Sequence, residues 1–143
     1  MIFETKIDGF SPRFEVVSCF TEHEGAILML LRLPTKSQGG KWGVPAGKLE
    51  VGETPLDGMV RELAEETGIS VLPEHISFLE TLYVRHGGYD FIYHMFSLLL
   101  QSRPEVLTKK DEHEDFEWVS PIDALSMPLV EDLDDCIKRI YRL

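Results

Sequence analysis

Residues 47–69, GKLEVGETPLDGMVRELAEETGI, place Glu62, Glu65 and Glu66 within five consecutive positions. Glu50, Glu53 and Asp57 lie just upstream, and Lys48 and Arg61 are the only basic residues of the stretch. Like charges crowded on one helix repel. Either water solvates them on an open face, which is the ordinary fate of a charge run, or they hold a cation. Hard ions such as Mg²⁺ take oxygen ligands and keep several waters, so two or three carboxylates and the oxygens of a phosphate-bearing substrate suffice. Neither His nor Cys stands at zinc-type spacing in the chain, which fits oxygen ligation. Spacing alone leaves both readings open.

The stretch has the marks of a helix that positions those side chains. Thr54 suits the N-cap, Pro55 the first helical position and Gly68 the C-terminal stop. Leu56, Met59, Val60, Leu63 and Thr67 recur at helical spacing and form a core-facing stripe. At about 100° per residue, Glu62, Glu65 and Glu66 share a face beside that stripe. Gly58, one turn earlier, projects toward the same side and leaves a bare patch of backbone where a phosphate can approach.

Strands must carry this helix. RFEVVSCFTE and GAILMLLRL read as two strands joined by a hairpin turn at EHEG. PTKSQGGK is a loop and WGVPAG a short extended piece. HISFLETLYVR and YDFIYHMFSLLL flank a turn at His86–Gly88. The second is apolar on both alternating faces, with Ile92, Phe96 and Leu98 on one and Phe91, Tyr93 and Met95 on the other, so layers cover both sides of the sheet. DFEWVS is a further strand, PIDAL a helical turn, and VEDLDDCIKRIYRL a closing helix with Val130, Leu133, Ile137 and Ile140 on one side. These elements predict a mixed α/β domain with about two main helices and a mixed or antiparallel sheet.

At 143 residues, the length predicts a single domain over 1–143. The longest apolar run, AILMLL, is too short to span a bilayer, and MIFETKIDGF lacks the features of a secretory signal. Cys19 and Cys136 suggest no disulfide scaffold. A cytoplasmic protein without membrane association is the expectation. The net charge of −11 argues against general nucleic-acid binding, which needs basic patches. It leaves room for a small phosphate-bearing substrate wherever a metal reverses the sign locally. Arg32, Lys36, Lys41 and Lys48 precede the carboxylates and would give the site a basic mouth.

The stretch resembles the signature of the Nudix hydrolases: Gly, five residues, Glu, seven residues, Arg-Glu, an aliphatic, any residue, Glu-Glu, any residue, Gly, an aliphatic. Gly47, Glu53, Arg61, Glu62, Leu63, Glu65, Glu66, Gly68 and Ile69 fill all nine specified positions. The resemblance implies an α/β/α sandwich around a mixed sheet, covering nearly the whole chain, with residues 1–12 least covered. It implies that Glu62, Glu65 and Glu66 bind Mg²⁺, or Mn²⁺ in its place, with Glu66 most central and the Gly47 carbonyl as a further ligand. Arg61 and Glu53 then orient the ligand carboxylates. The implied reaction is MutT-like pyrophosphatase chemistry: attack of water on a nucleoside diphosphate linked to another group. The candidate substrates it implies are a noncanonical nucleoside triphosphate, a nucleotide sugar such as ADP-ribose, or a dinucleotide. A homodimer is compatible with it.

Two residue sets remain open at this stage. The catalytic base is a glutamate of the helix, Glu62 first, or one of the later loop DEHEDFEW, where Glu112 stands ahead of Glu114 and Glu117. His113 reads as a surface histidine. Phe10, Phe14, Tyr83, Tyr89, Phe91 and Tyr93 are candidates for stacking on a base, and Arg32, Arg85 and Lys48 for contacting phosphate. Trp42 and Pro45 read as structural, and Ala46 stands where the family often has Gly. The alternative function is a catalytically silent sensing or binding module. Such modules tend to have substituted glutamates, and here none is replaced.

Overall fold

The computed structural model describes residues 1–143. Eight strands form one mixed sheet: β1 (Ile2–Phe3), β2 (Pro12–His23), β3 (Ala26–Arg32), β4 (Trp42–Gly43), β5 (Ala46–Lys48), β6 (Ser77–His86), β7 (Tyr89–Leu99) and β8 (His113–Val119). Helix α1 spans Pro55–Thr67, α2 Pro121–Ala124 and α3 Leu133–Tyr141, and a 3₁₀ turn covers Pro73–His75. The strand order is β1-β6-β7-β2-β3-β4, with β5 added to β2 and β8 to β3. The pairing of β2 with β7 is parallel, and the other pairings are antiparallel.

Side-chain alternation divides the core into two layers, as the doubly apolar β7 requires. Val17, Cys19, Leu28, Leu30, Phe96 and Leu98 face α1, where Met59 and Leu63 meet them. Phe20, Ile27, Met29 and Met95 face the other way, against Ala124 of α2 and Leu133, Cys136 and Ile137 of α3. The result is an α/β/α sandwich. Cys19 and Cys136 are both free, buried in opposite layers. No helix is long and apolar enough to cross a membrane.

The hairpin expected between β2 and β3 exists only at its tip. The two strands pair at Glu22↔Ile27 and His23↔Ala26, around a turn with φ of 48° at Glu24 and 80° at Gly25. Beyond the tip they separate. The edge of β2 is taken by β5 at Val16↔Lys48, Val17↔Gly47 and Ser18↔Ala46, and that of β3 by β4 at Leu30↔Gly43. Pro45 sits inside this fork, and its carbonyl accepts from the Cys19 N–H at 2.9 Å. The fork brings the short WGVPAG piece against α1.

Helix α1 starts and stops as its residues dictate. The Thr54 hydroxyl accepts from the Asp57 N–H at 3.2 Å, and Gly68 takes the left-handed conformation, φ 75°, returning its N–H to Ala64. Residues 1–12, the least covered by the resemblance, add the edge strand β1 to β6 at Ile2↔Val84 and Phe3↔Tyr83.

Candidate active site

The carboxylates of α1 converge on one arginine. Arg61 Nε and Nη2 donate to the two oxygens of Glu53 at 2.7 and 2.8 Å. Its Nη1 donates to Glu62 Oε1 at 2.9 Å and to Glu65 Oε2 at 3.1 Å. Nη2 also reaches the Lys48 carbonyl at 3.2 Å, tying the helix to β5. This fork geometry suits paired carboxylates. Hydrogen bonds from Arg61 hold Glu53 down at about 2. Glu50, 3.8 Å from the guanidinium, is mostly exposed.

Gly47 has no room for a side chain. A Cβ there would stand 2.1 Å from the carboxylate carbon of Glu62, so the Glu62 head group packs directly on the β5 backbone. Burial raises the proton affinity of Glu62, against the pull of Arg61. Gly58 is also tight, but for a different reason from the one its position on the helix suggested. A Cβ there would meet Leu49 Cδ2 at 2.2 Å and Glu53 Oε1 at 2.9 Å. The space beside Gly58 is filled by the protein and is not open for a phosphate.

Glu66 differs sharply from its neighbour Glu65. Its side chain is buried, and only the Ala46 N–H, at 3.1 Å, donates to it. Burial pushes its pKa well up, with the Glu62 and Glu112 charges adding to the effect and Arg32 opposing it. Oxygens of Glu66 and Glu112 and a ring nitrogen of His113 lie within 4.8 Å of one another. Glu62 and Glu65 are not in that group, and both are turned to Arg61. Buried negative charge with so few donors fits a divalent cation, because a buried ion without a partner is otherwise costly.

The surface place expected for His113 is incorrect. It is 4% exposed, its Nδ1 is buried with no hydrogen-bond partner, and burial lowers its pKa. A register shift accounts for the difference. β8 pairs with β3 residue for residue down to Leu31↔Asp115, but Arg32 then pairs with His113, skipping Glu114. One extra residue moves His113 inward, which alternation in the sequence does not disclose.

A cleft of about 550 Å³ lies across the opposite face of the sheet; of this group only His113 lines it, and Glu62, Glu65, Glu66 and Glu112 do not. Arg32, Gly47, Lys48 and His113 line one end, and Phe14, Tyr89, Phe91 and Tyr93 line its middle. Phe14 and Phe91 are stacked, 5.5 Å between centroids, and Lys48 Nζ lies 4.2 Å over the Phe14 ring. Phe10 and Tyr83 instead pack edge to face on each other, outside the cleft. Arg85 is bound to Asp90 at 2.6 Å and is likewise outside it. Lys36 and Lys41 do not line it either, so of the four expected cations only Arg32 and Lys48 remain, joined by Arg13 beside Tyr89. At the far end, His86 Nε2 lies 3.1 Å from Asp132 Oδ2, and Glu131 adjoins them. No pattern in the sequence singled out these three.

Comparison with known proteins agrees with the geometry. The model of the NUDIX domain matches residues 11–140. The chain is 31% identical over 118 residues to the CTP pyrophosphohydrolase of Escherichia coli K12, covering 80% of this chain and 82% of that protein. It is also 31% identical over 132 residues to the RNA pyrophosphohydrolase of Psychrobacter sp. PRwf-1, covering 79% and 72% respectively. Among solved structures, a MutT protein of Methanosarcina mazei Go1 superposes with a TM-score of 0.80 at 26% identity, over 96% of this chain and 97% of that one. With the nine signature positions filled and three of their glutamates bound to Arg61, the chain belongs to the Nudix family of pyrophosphohydrolases.

Proposed function

We propose that the enzyme is a Mg²⁺-dependent hydrolase, with Mn²⁺ as the alternative ion, of a free nucleoside diphosphate derivative. The candidate substrates are a noncanonical nucleoside triphosphate, a nucleotide sugar such as ADP-ribose, or a dinucleotide. The observation that carries the reading is the Arg61 array, which holds Glu53, Glu62 and Glu65 beside the buried Glu66. Gly47, Glu62, Glu65, Glu66 and Glu112 would hold the ion. A divalent cation held there would neutralise the diphosphate oxygens and lower the pKa of the attacking water.

The chain's own groups divide the remaining work. Arg61 and Glu53 fix the directions of the acidic side chains. Arg61 engages Oε1 of Glu62, which leaves Oε2 to accept the proton of the attacking water, and Glu112 is the second candidate for that role. Arg32 and Lys48, at the same end of the cleft, would contact the diphosphate. The Phe14–Phe91 stack would seat the base, since aromatic faces stack on any base. The cleft suits one nucleotide, and the net charge of −11 disfavours a polynucleotide.

The test is a substrate panel: noncanonical triphosphates, CTP, ADP-ribose, dinucleotides and 5′-triphosphorylated RNA, with and without Mg²⁺, read by product identification. Mg²⁺-dependent release of a nucleoside monophosphate from one of the small substrates is expected. Binding without turnover of any diphosphate would replace the enzyme by a silent binding module, and turnover of the RNA alone would overturn the substrate class.

A further inference from the structure

One residue beside the carboxylates lies outside the nine-position signature. His113 is 4% exposed at one end of the cleft, and its buried Nδ1 neither donates nor accepts. A buried polar atom left without a partner is costly, and folded proteins retain few. The ring is held in place by its backbone. The His113 N–H donates to the Lys109 carbonyl at 2.8 Å, and the neighbouring Glu112 carbonyl accepts from Leu33 at 3.0 Å. The extra residue Glu114 lets His113 take the position opposite Arg32. A ring nitrogen is thereby brought within 4.8 Å of oxygens of both Glu66 and Glu112.

Two carboxylates and an imidazole make a mixed oxygen and nitrogen donor set. Mg²⁺ is poorly served by nitrogen and prefers oxygen and water. Imidazole suits Fe²⁺, Ni²⁺ and Zn²⁺ best, and Mn²⁺, the weakest binder of the first-row series, still takes a nitrogen ligand more readily than Mg²⁺ does.

We propose that His113 supplies an imidazole nitrogen to a cation position shared with Glu66 and Glu112, and that this position takes Mn²⁺ in preference to Mg²⁺. The inference rests on the reading of this carboxylate group as a metal site.

The experiment is Mn²⁺ titration of the full chain followed by electron paramagnetic resonance, with pulsed measurement of nitrogen coupling in the bound ion. The wild-type protein is expected to show a directly coordinated nitrogen, whose coupling changes when histidine is labelled with ¹⁵N. His113→Gln should lose the coupling and about 10-fold or more of the Mn²⁺ affinity, with a much smaller change for Mg²⁺ measured by competition. His86→Gln removes the histidine next to Glu131 and Asp132 and should leave the coupling intact. Coupling that disappears with His86→Gln, or equal losses for both ions in His113→Gln, overturns the proposal. If His113→Gln does not fold, the wild-type spectrum decides: bound Mn²⁺ without nitrogen coupling sinks this inference alone. No bound Mn²⁺ at millimolar concentration sinks the metal-site reading with it.

Discussion

Gly47→Ala tests whether the β5 backbone sets the position of Glu62. Gly47 is outside the left-handed region, so alanine brings no backbone strain there. A Cβ at this position would stand 2.1, 2.4 and 2.2 Å from the carbon, Oε1 and Oε2 of the Glu62 carboxylate. Ordinary contact begins near 3.4 Å, so the head group must retreat by about 1.3 Å, the difference between 3.4 and 2.1 Å. Arg61 cannot simply follow, because Glu53 holds it with bonds of 2.7 and 2.8 Å. The expected stability loss is one charge-assisted hydrogen bond at a partly exposed site, ~1 kcal/mol, or about 2–5 °C in melting temperature for a chain of this size. The expected rate loss is larger, because misplacing a reacting group by about 1 Å costs on the order of 10²-fold.

The assay is steady-state turnover of the best substrate from the panel at saturating Mg²⁺, with thermal melts of the same samples. A double-mutant cycle with Glu62→Asp sharpens it. The shorter side chain withdraws the carboxylate, so Gly47→Ala should add almost nothing in that background. Wild-type turnover in Gly47→Ala would refute the positioning argument. A large additive loss in the double variant would show that Gly47 acts through some contact other than Glu62.

Three further outcomes are expected. Glu66→Gln should abolish turnover by several orders of magnitude. In chelator at neutral pH it should melt higher than wild type, since it removes a buried charge, and it should lack the rise in melting temperature expected of the wild type on adding Mg²⁺. Asp90 accepts from Arg85 at 2.6 and 3.0 Å and from the Ser11 N–H at 2.9 Å, which lowers its pKa from 3.8 to about 2. A depressed carboxyl stabilises the fold above its unfolded value and loses that effect as pH falls through its folded one. The melting-temperature gap between wild type and Asp90→Asn should therefore be full at neutral pH and shrink between pH 3.8 and about 2. Phe14→Ala removes one ring of the stack and should raise KM about 10-fold, near the low end of base–aromatic stacking, with kcat retained; an unchanged KM would place the base elsewhere.

Much of the fold was legible because its determinants are local. Thr54, Pro55 and Gly68 bound α1 by their own backbone chemistry, and the doubly apolar β7 declared two covering layers. The fork between β2 and β3 was not legible. Nothing in GAILMLLRL says that only Ala26 and Ile27 pair with β2, because competition from β4 and β5 for the same edges is a tertiary choice. The parallel partnership of β2 with β7 is tertiary in the same way.

The site divides along the same line. Glu53, Arg61 and Glu62 sit on or beside one helix, so their meeting follows from helical geometry and the reach of an arginine. Glu65 and Glu66 are identical and adjacent, yet the first is 46% exposed at its side chain and the second 4% exposed. What separates them is the Ala46 N–H, which β5 presents to Glu66, and β5 is where it is only because the strands part. His113 was misjudged for a related reason: one unpaired residue in β8 changed its surroundings without changing any local pattern. The carboxylates are thus a property of the helix. Their inequality, which decides where an ion can sit, is a property of the sheet beside them.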